Sequence, residues 1–135
     1  MSAFTPAEVD YLTSQRLGRL ATAGHDCQPH VVPMAFRYNP EQGTIDIGGL
    51  RISQTKKYRD VAANPRVGFV VDDIASIDPW KVRMLEIRGE TEILPVGGKE
   101  IMPGFEDAFI RIHPRRIVSF GIDGEHTSVN ARSVS

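Results

Sequence analysis

Residues 84–94, with the sequence MLEIRGETEIL, alternate between apolar and mostly charged side chains. In a strand, Leu85, Ile87 and Ile93 lie on one face and the intervening residues lie on the other. One apolar face and one charged face are typical of a strand in an antiparallel sheet that buries a single side. The segment therefore predicts a half-buried antiparallel strand.

Further strands are predicted on both sides of this segment, and short turns separate most of them. They are LGRLATAG (17–24), HVVPMAFRY (30–38), TIDIGG (44–49), VGFVVDD (67–73) and RRIVSFGID (115–123). Pro33 cannot donate a hydrogen bond to a neighbouring strand, so it predicts an edge or a bulge. About six strands joined in this way favour an antiparallel barrel over a doubly wound parallel sheet.

Two helices are predicted between the strands. The first begins at Thr5, where Pro6 suits the first helical position and Glu8 completes a capping box, and it extends to about Gln15. The second runs from about Thr55 to Ala63. It ends there because Asn64 precedes Pro65, and the residue before a proline avoids the α region. The loop 74–80 connects two strands, residues 95–112 receive no assignment, and the tail 123–135 has no periodicity and is expected to be mobile or to lie on a partner. The whole chain, 1–135, reads as one domain.

Composition narrows the possible functions. The chain has 135 residues, a net charge of −1 and one cysteine, Cys27. Balanced charge gives no support for binding to nucleic acid or a membrane surface. A single cysteine, no apolar run of about 20 residues and no signal-peptide pattern indicate a cytoplasmic protein. The four histidines show no metal-ligand spacing, so no metal site is expected.

Two adjacent lysines, Lys56 and Lys57, begin the second predicted helix. Positive side chains ordinarily favour the other end of a helix, where the dipole is negative. A bound phosphate would explain their position, because the free N–H groups of a helix N-terminus and two ammonium groups together bind an anion. The alternative is that the pair simply faces solvent.

The order of GRLAT, PHVVPMAFRY, TIDIGG and a helix running from TKK to NPRV resembles the pyridoxamine 5′-phosphate oxidase-like superfamily. These are split β-barrel oxidoreductases that use flavins or deazaflavins. LTSQRLGRLAT and IRIHPRRIVSFGID are similar to the actinobacterial branch that depends on coenzyme F420. The resemblance implies a mainly β fold, a six-stranded antiparallel split barrel with a few flanking helices, and an obligate homodimer with cofactors between the subunits.

The resemblance also implies a set of cofactor contacts. A Ser-Arg-Lys or similar triplet grips the cofactor phosphate in that family, and Thr55, Lys56 and Lys57 occupy its place here. Gly48 and Gly49 would allow the cofactor to approach bare backbone, or would serve a turn with positive φ. The ring system would lie along Val32, Pro33, Met34 and Ala35, or these residues would belong to the ordinary barrel core, as about half of them must in a strand with two faces. Trp80 would stack on the cofactor of the other subunit or on the substrate, or would be a tryptophan of the dimer interface or of the core. Arg51, Lys81 or Arg83 would meet the acidic tail of a deazaflavin.

The function that the resemblance implies is hydride transfer from reduced coenzyme F420 to a small electron-poor substrate such as an enone, quinone or imine. The cofactor carries the chemistry, and no catalytic side chain is identified, although Tyr58 could donate a proton. One alternative keeps the fold and uses flavin mononucleotide (FMN). Another is a non-enzymatic protein that binds flavin, deazaflavin or haem, for which His30 would be the axial ligand.

Overall fold

The computed structural model describes residues 3–123 and 129–134. In chain order, the elements in these ranges are α1 (Pro6–Ser14), β1 (Leu17–Ala23), β2 (Pro29–Asn39), β3 (Thr44–Ile47), a 3₁₀ turn (Ile52–Gln54), α2 (Lys56–Ala63), β4 (Arg66–Ser76), β5 (Lys81–Leu94), a second 3₁₀ turn (Gly98–Glu100), β6 (Phe109–Phe120) and β7 (Val129–Ser133). No helix in these ranges has the length and apolar character that are needed to cross a bilayer.

Six strands close into an antiparallel barrel. The strand order is β3-β2-β1-β4-β5-β6, and β3 also pairs with β6, which closes the sheet. Leu20 in β1 lies opposite Val32 in β2 and Phe69 in β4, so these side chains share the inner face. The predicted mainly β, six-stranded antiparallel split barrel with flanking helices is confirmed.

The core fills the inside of this barrel with branched apolar side chains. Fully buried members include Leu20, Ile45, Ile47, Val71, Leu85, Ile87, Ile110, Ile112 and Ile117. Each such side chain contributes about 1.5–3 kcal/mol when it leaves water. The alternation predicted for residues 84–94 is present, because Leu85 and Ile87 are buried while Arg88 and Glu90 are exposed.

The predicted boundaries around β4, β5 and β6 need correction. β4 extends to Ser76 and β5 begins at Lys81, so the predicted loop 74–80 shrinks to the turn 77–80. β6 begins at Phe109, six residues before the predicted strand. Pro114 concealed this continuity, but the β5–β6 register shifts between Arg88 and Gly89, opposite that proline. A bulge accommodates a residue that cannot donate to the ladder.

The C-terminal tail adds a strand that its sequence did not suggest. β7 pairs with β6 on the outside of the barrel, with Val118 opposite Ala131. Arg132 also donates two hydrogen bonds to the buried carboxylate of Glu8 in α1, at 2.6 and 2.9 Å. The rest of the predicted tail, residues 124–128 and 135, lies outside the described residues.

β2 has an unpaired edge that is important for the site. Residues 29–35 pair with β1, whereas β3 pairs only with residues 36–39. In the described part of the chain, the other edge of residues 29–35 therefore carries no neighbouring strand. Pro33 lies in this segment, which confirms the prediction that it marks an edge.

Candidate cofactor site

The N-terminus of α2 is uncapped, in contrast to that of α1. At α1, the hydroxyl of Thr5 accepts a hydrogen bond from the N–H of Glu8 and completes the predicted capping box. At α2, no side chain caps the helix, and the hydroxyl of Thr55 instead donates to the carbonyl of Ile52 at 2.6 Å. The first backbone N–H groups of α2 thus have no intrahelical acceptor. Thr55 does not direct its hydroxyl hydrogen toward a phosphate in this arrangement.

Lys56, the first residue of α2, is engaged within the protein. Its Nζ lies 3.0 Å from Oδ1 of Asp60, one helical turn later. Asp60 is only 5% exposed and also accepts a hydrogen bond of 2.8 Å from Thr22 in β1. These hydrogen bonds lower the pKa of Asp60 and oppose the effect of its burial. Asp60 therefore fastens α2 to the barrel through Thr22, and Lys56 neutralises its buried carboxylate.

Lys57 differs from Lys56 in burial and in pairing. Its side chain is half-buried, and desolvation lowers the pKa of its ammonium group. Within residues 3–123 and 129–134 it makes no hydrogen bond or ion pair. A partly desolvated cation without a counter-charge is unfavourable by itself. Its position at an uncapped helix N-terminus makes it suitable for holding an anion.

Residues 95–112, which receive no assignment from the sequence, support the residues before α2. Glu106 accepts hydrogen bonds from the N–H of Ser53 at 3.1 Å and from its hydroxyl at 2.5 Å. The N–H of Glu106 donates to the carbonyl of Gly49 at 2.9 Å. Sequence reasoning missed Glu106 and Ser53, because no motif links residues 53 positions apart. They hold the strand end and the helix start in one place.

The two glycines have different roles. A Cβ on Gly48 would lie 2.8 Å from the ring of Phe105 and 3.1 Å from Ile101, whereas one on Gly49 would meet nothing closer than 3.5 Å. Neither has a positive φ, so the alternative interpretation as a positive-φ turn is wrong. Gly48 is required by close packing of the segment after β5. Gly49 leaves more space.

The predicted ring segment of β2 alternates between the two faces of its strand. Met34 points inward and packs against the core, and Val32 shares that face. Pro33 is exposed on the other face, and Ala35 lines a cavity of about 280 Å³. The unpaired edge described above leaves backbone groups of this segment free for a ligand. Pro33 and Ala35 offer surface to a ring system, whereas Met34 belongs mainly to the core.

Trp80 is not near Lys57 within one protomer. It lies in the turn between β4 and β5 and is 63% exposed. α2 lies at the other end of β4, and this strand of 11 residues spans about 35 Å at ~3.3 Å per residue. Ile74 and Ile77, at the same tip, are also exposed. The tip is an apolar projection away from the site of its own chain.

Arg83 is also occupied by an internal partner. Its guanidinium makes two hydrogen bonds to Asp73, at 3.0 and 2.6 Å. The hydroxyl of Tyr11 donates to the same carboxylate at 2.8 Å. The hydrogen bonds from Arg83 are the largest cause of the lowered pKa of Asp73, and burial is the largest cause of the raised pKa of Tyr11. Arg83 fastens α1 to the β4–β5 hairpin, whereas Lys81 and Arg51 make no ion pair in the described part of the chain.

Among the described residues, no group of three or more His, Cys, Asp or Glu side chains is arranged to hold a metal ion. His30 lies near Asp60, and its Nδ1 is buried without a hydrogen-bond partner in the described part of the chain. Tyr58 is half-buried and packs against the core.

Comparisons with known proteins agree with this architecture. The family model described as pyridoxamine 5′-phosphate oxidase matches residues 4–117. A 5a,11a-dehydrotetracycline/5a,11a-dehydrooxytetracycline reductase of Streptomyces rimosus is 48% identical over 133 residues, which cover 98% of this chain and 94% of the relative.

Solved structures share the fold. A conserved hypothetical protein of Mycobacterium tuberculosis has a TM-score of 0.67 and 26% identity, with 96% of this chain and 94% of that chain covered. An FAD-binding protein of Mesorhizobium loti has a TM-score of 0.63 and 27% identity, with 82% and 87% covered. Together with the barrel topology, these matches show that the chain belongs to the pyridoxamine 5′-phosphate oxidase family and is similar to a reductase.

Proposed function

We propose that this protein is a coenzyme F420-dependent reductase that acts on an electron-poor carbon–carbon double bond. The observation that carries the proposal is Lys57, a half-buried ammonium group without a partner in the described ranges, beside the uncapped N-terminus of α2. The name of the Streptomyces relative denotes a dehydro compound that is reduced. Its identity and its coverage of nearly the whole chain support the same class of reaction here.

The residues of the site suit the proposed cofactor. Lys57 and the backbone N–H groups that begin α2 would hold the phosphate, with Lys56 nearby. Pro33, Ala35 and the free edge of β2 would border the ring system, with Val32 and Met34 behind them, and Gly48 and Gly49 would adjoin it. When bound, the reduced deazaflavin supplies a hydride to the substrate. The protein then has to bind and orient the cofactor and the substrate, and to exclude water. The absence of a recognisable catalytic side chain from the sequence agrees with this role.

The proposal includes a homodimer. The outer face of the barrel carries small or apolar residues across β2, β1 and β4. Val31, which is 65% exposed, lies opposite Ala21, and Ala21 lies opposite Gly68. A groove of about 510 Å³ crosses the same face, and charged side chains line its other side: Arg66, Glu86, Arg88, Glu90 and Arg115. A second copy on this face would cover exposed apolar surface. The proposal also has the exposed Trp80 at the hairpin tip meet the cofactor of the partner.

FMN is the alternative cofactor, because its phosphate would use the same lysine. The deciding experiment titrates the purified protein with coenzyme F420 and with FMN and follows cofactor fluorescence, for the wild type and for Lys57→Met. Tighter binding of the deazaflavin, weakened at least tenfold in the variant, supports the proposal. Tighter binding of FMN would indicate that the protein is a flavin enzyme with the same phosphate site. Equal binding by wild type and variant contradicts the role of Lys57.

Turnover is tested separately from binding. The protein, loaded with reduced coenzyme F420, is offered 5a,11a-dehydrotetracycline and a set of simple enones and quinones. Oxidation of the deazaflavin is followed by its absorbance, and reduction of the double bond by mass spectrometry. Binding of the coenzyme without turnover of any of these compounds would favour a non-enzymatic binding protein.

A further inference from the structure

A second cavity adjoins the candidate cofactor site. It measures about 280 Å³ and lies between the end of α1, β2 and the segment after β5. Its walls are Thr13, Ser14, Gln15, Arg16, Ala35, Phe36, Ile101 and Met102. Three parts of the chain that are distant in sequence therefore meet at one concave surface.

Two of these walls are shared with the candidate cofactor site. Ala35 belongs to the predicted ring segment of β2. Ile101 lies against Gly48, since a Cβ on that glycine would be 3.1 Å from its Cδ1. A molecule in the cavity would therefore be adjacent to a ring system bound along β2.

The cavity contains an arginine without an internal partner. Arg16 is exposed and makes no hydrogen bond or ion pair in the described part of the chain. Arg83, Arg111 and Arg132 all pair with carboxylates of the barrel or of α1. Phe36 and Met102 add apolar surface near Arg16. One available guanidinium at the rim of a partly apolar cavity is a suitable arrangement for an anionic organic molecule.

The chemistry of the proposed reaction gives such a group a role. When a hydride adds to a carbon–carbon double bond conjugated with a carbonyl, the electron pair of the double bond moves toward the carbonyl oxygen, which becomes an enolate. The α-carbon then takes a proton from solvent. A guanidinium holds two neighbouring oxygens with paired charge-assisted hydrogen bonds, and a fixed cation stabilises an oxygen that gains negative charge.

We propose that this cavity is the substrate subsite and that Arg16 binds the anionic oxygens of a polycyclic 1,3-dicarbonyl compound. This inference rests on the proposed function. The cavity is slightly smaller than the ~300–1,000 Å³ of ordinary small-molecule sites. It therefore takes the oxygen-rich end of the molecule and leaves the remaining rings above β2, beside the cofactor.

The test measures binding of tetracycline, a polycyclic 1,3-dicarbonyl compound, to the cofactor-free protein by calorimetry, with EDTA present. The variants are Arg16→Ala, Arg16→Lys and the control Arg116→Ala. Arg116 lines neither this cavity nor the groove on the outer face, and its guanidinium donates to the hydroxyl of Ser133. We expect Arg16→Ala to weaken binding at least tenfold, Arg16→Lys to weaken it less, and Arg116→Ala to leave it unchanged.

Three results would overturn the subsite. They are no binding of tetracycline to the wild type, equal binding by wild type and Arg16→Ala, or an equal loss in Arg16→Ala and Arg116→Ala, which would show that the loss is not specific to this cavity. A parallel titration with coenzyme F420 keeps the two proposals apart. Arg16→Ala should bind the coenzyme normally, and failure of the wild type to bind it would contradict the proposed function but not the tetracycline subsite.

Discussion

The ammonium group of Lys56 lies 3.0 Å from the carboxylate of Asp60. This contact gives two neighbouring lysines different roles. Lys56 neutralises a buried carboxylate that also binds Thr22, whereas Lys57 has no such partner in the described residues. The first lysine stabilises the fold, and the second is available to a ligand at a cost in stability.

Replacement of each lysine by methionine should therefore have opposite effects. Lys57→Met removes a desolvated charge and should raise the free energy of unfolding of the cofactor-free protein by about 0.5–1 kcal/mol, while cofactor affinity falls. Lys56→Met leaves Asp60 without its cation and should lower that free energy by about 1–3 kcal/mol. Urea denaturation of both variants measures the two changes. A loss of stability in Lys57→Met would show that this side chain has a structural partner.

The pH dependence of stability offers a separate test of Lys57. Burial lowers the pKa of Lys57, so the unfolded chain holds this proton more tightly than the folded chain does. In the interval between the lowered folded pKa and the ordinary lysine value of about 10.4, stability contributed by this group must rise with pH. The free energy of unfolding of wild type and of Lys57→Met, measured in urea at pH 8, 9 and 10, isolates the effect, because the other groups titrate equally in the two proteins. The advantage of the variant should shrink as pH rises, and a constant difference would contradict the lowered pKa.

Arg132 should be important for the stability of the whole domain. Its two hydrogen bonds reach Glu8, which is 0% exposed. Arg132→Ala would leave a buried carboxylate without its cation and should cost about 3–5 kcal/mol, measured by thermal or urea unfolding. Arg116→Ala is the matched control, because Arg116 donates across the same strand pair to the exposed Ser133, and should cost less than about 0.5 kcal/mol. Similar losses in both variants would mean that β7, rather than the Glu8 contact, provides the stability.

Gly48 should resist substitution because of the packing around it. Gly48→Ala places a Cβ 2.8 Å from the ring of Phe105 and should destabilise the protein by about 1–3 kcal/mol. Gly49→Ala meets only ordinary contacts and serves as the control. Addition of Phe105→Leu should recover part of the loss at Gly48 but not at Gly49, which a double-mutant cycle would measure. Additive effects at Gly48 would exclude Phe105 as the cause.

Much of the barrel was predictable because its signals are local. Alternation within residues 84–94 identifies a strand with one buried face, and Thr5, Pro6 and Glu8 identify the start of α1. The helix that follows Gly49 and the prolines that mark its end and the edge of β2 also depend on neighbouring residues. In contrast, β7 and the early start of β6 depend on pairing between strands, which periodicity does not report.

By itself, the sequence determined the antiparallel barrel, the chain order of its six strands and two helices, and the presence of two lysines at a helix start. Only the tertiary structure distinguished those lysines, because Asp60 neutralises one of them and no described residue neutralises the other. It likewise brought Glu106 to Ser53, Ile101 to Gly48 and Arg16 to the cavity beside β2. Alternation and capping are properties of adjacent residues, whereas the charge balance and shape of a site depend on contacts between residues that the chain keeps far apart.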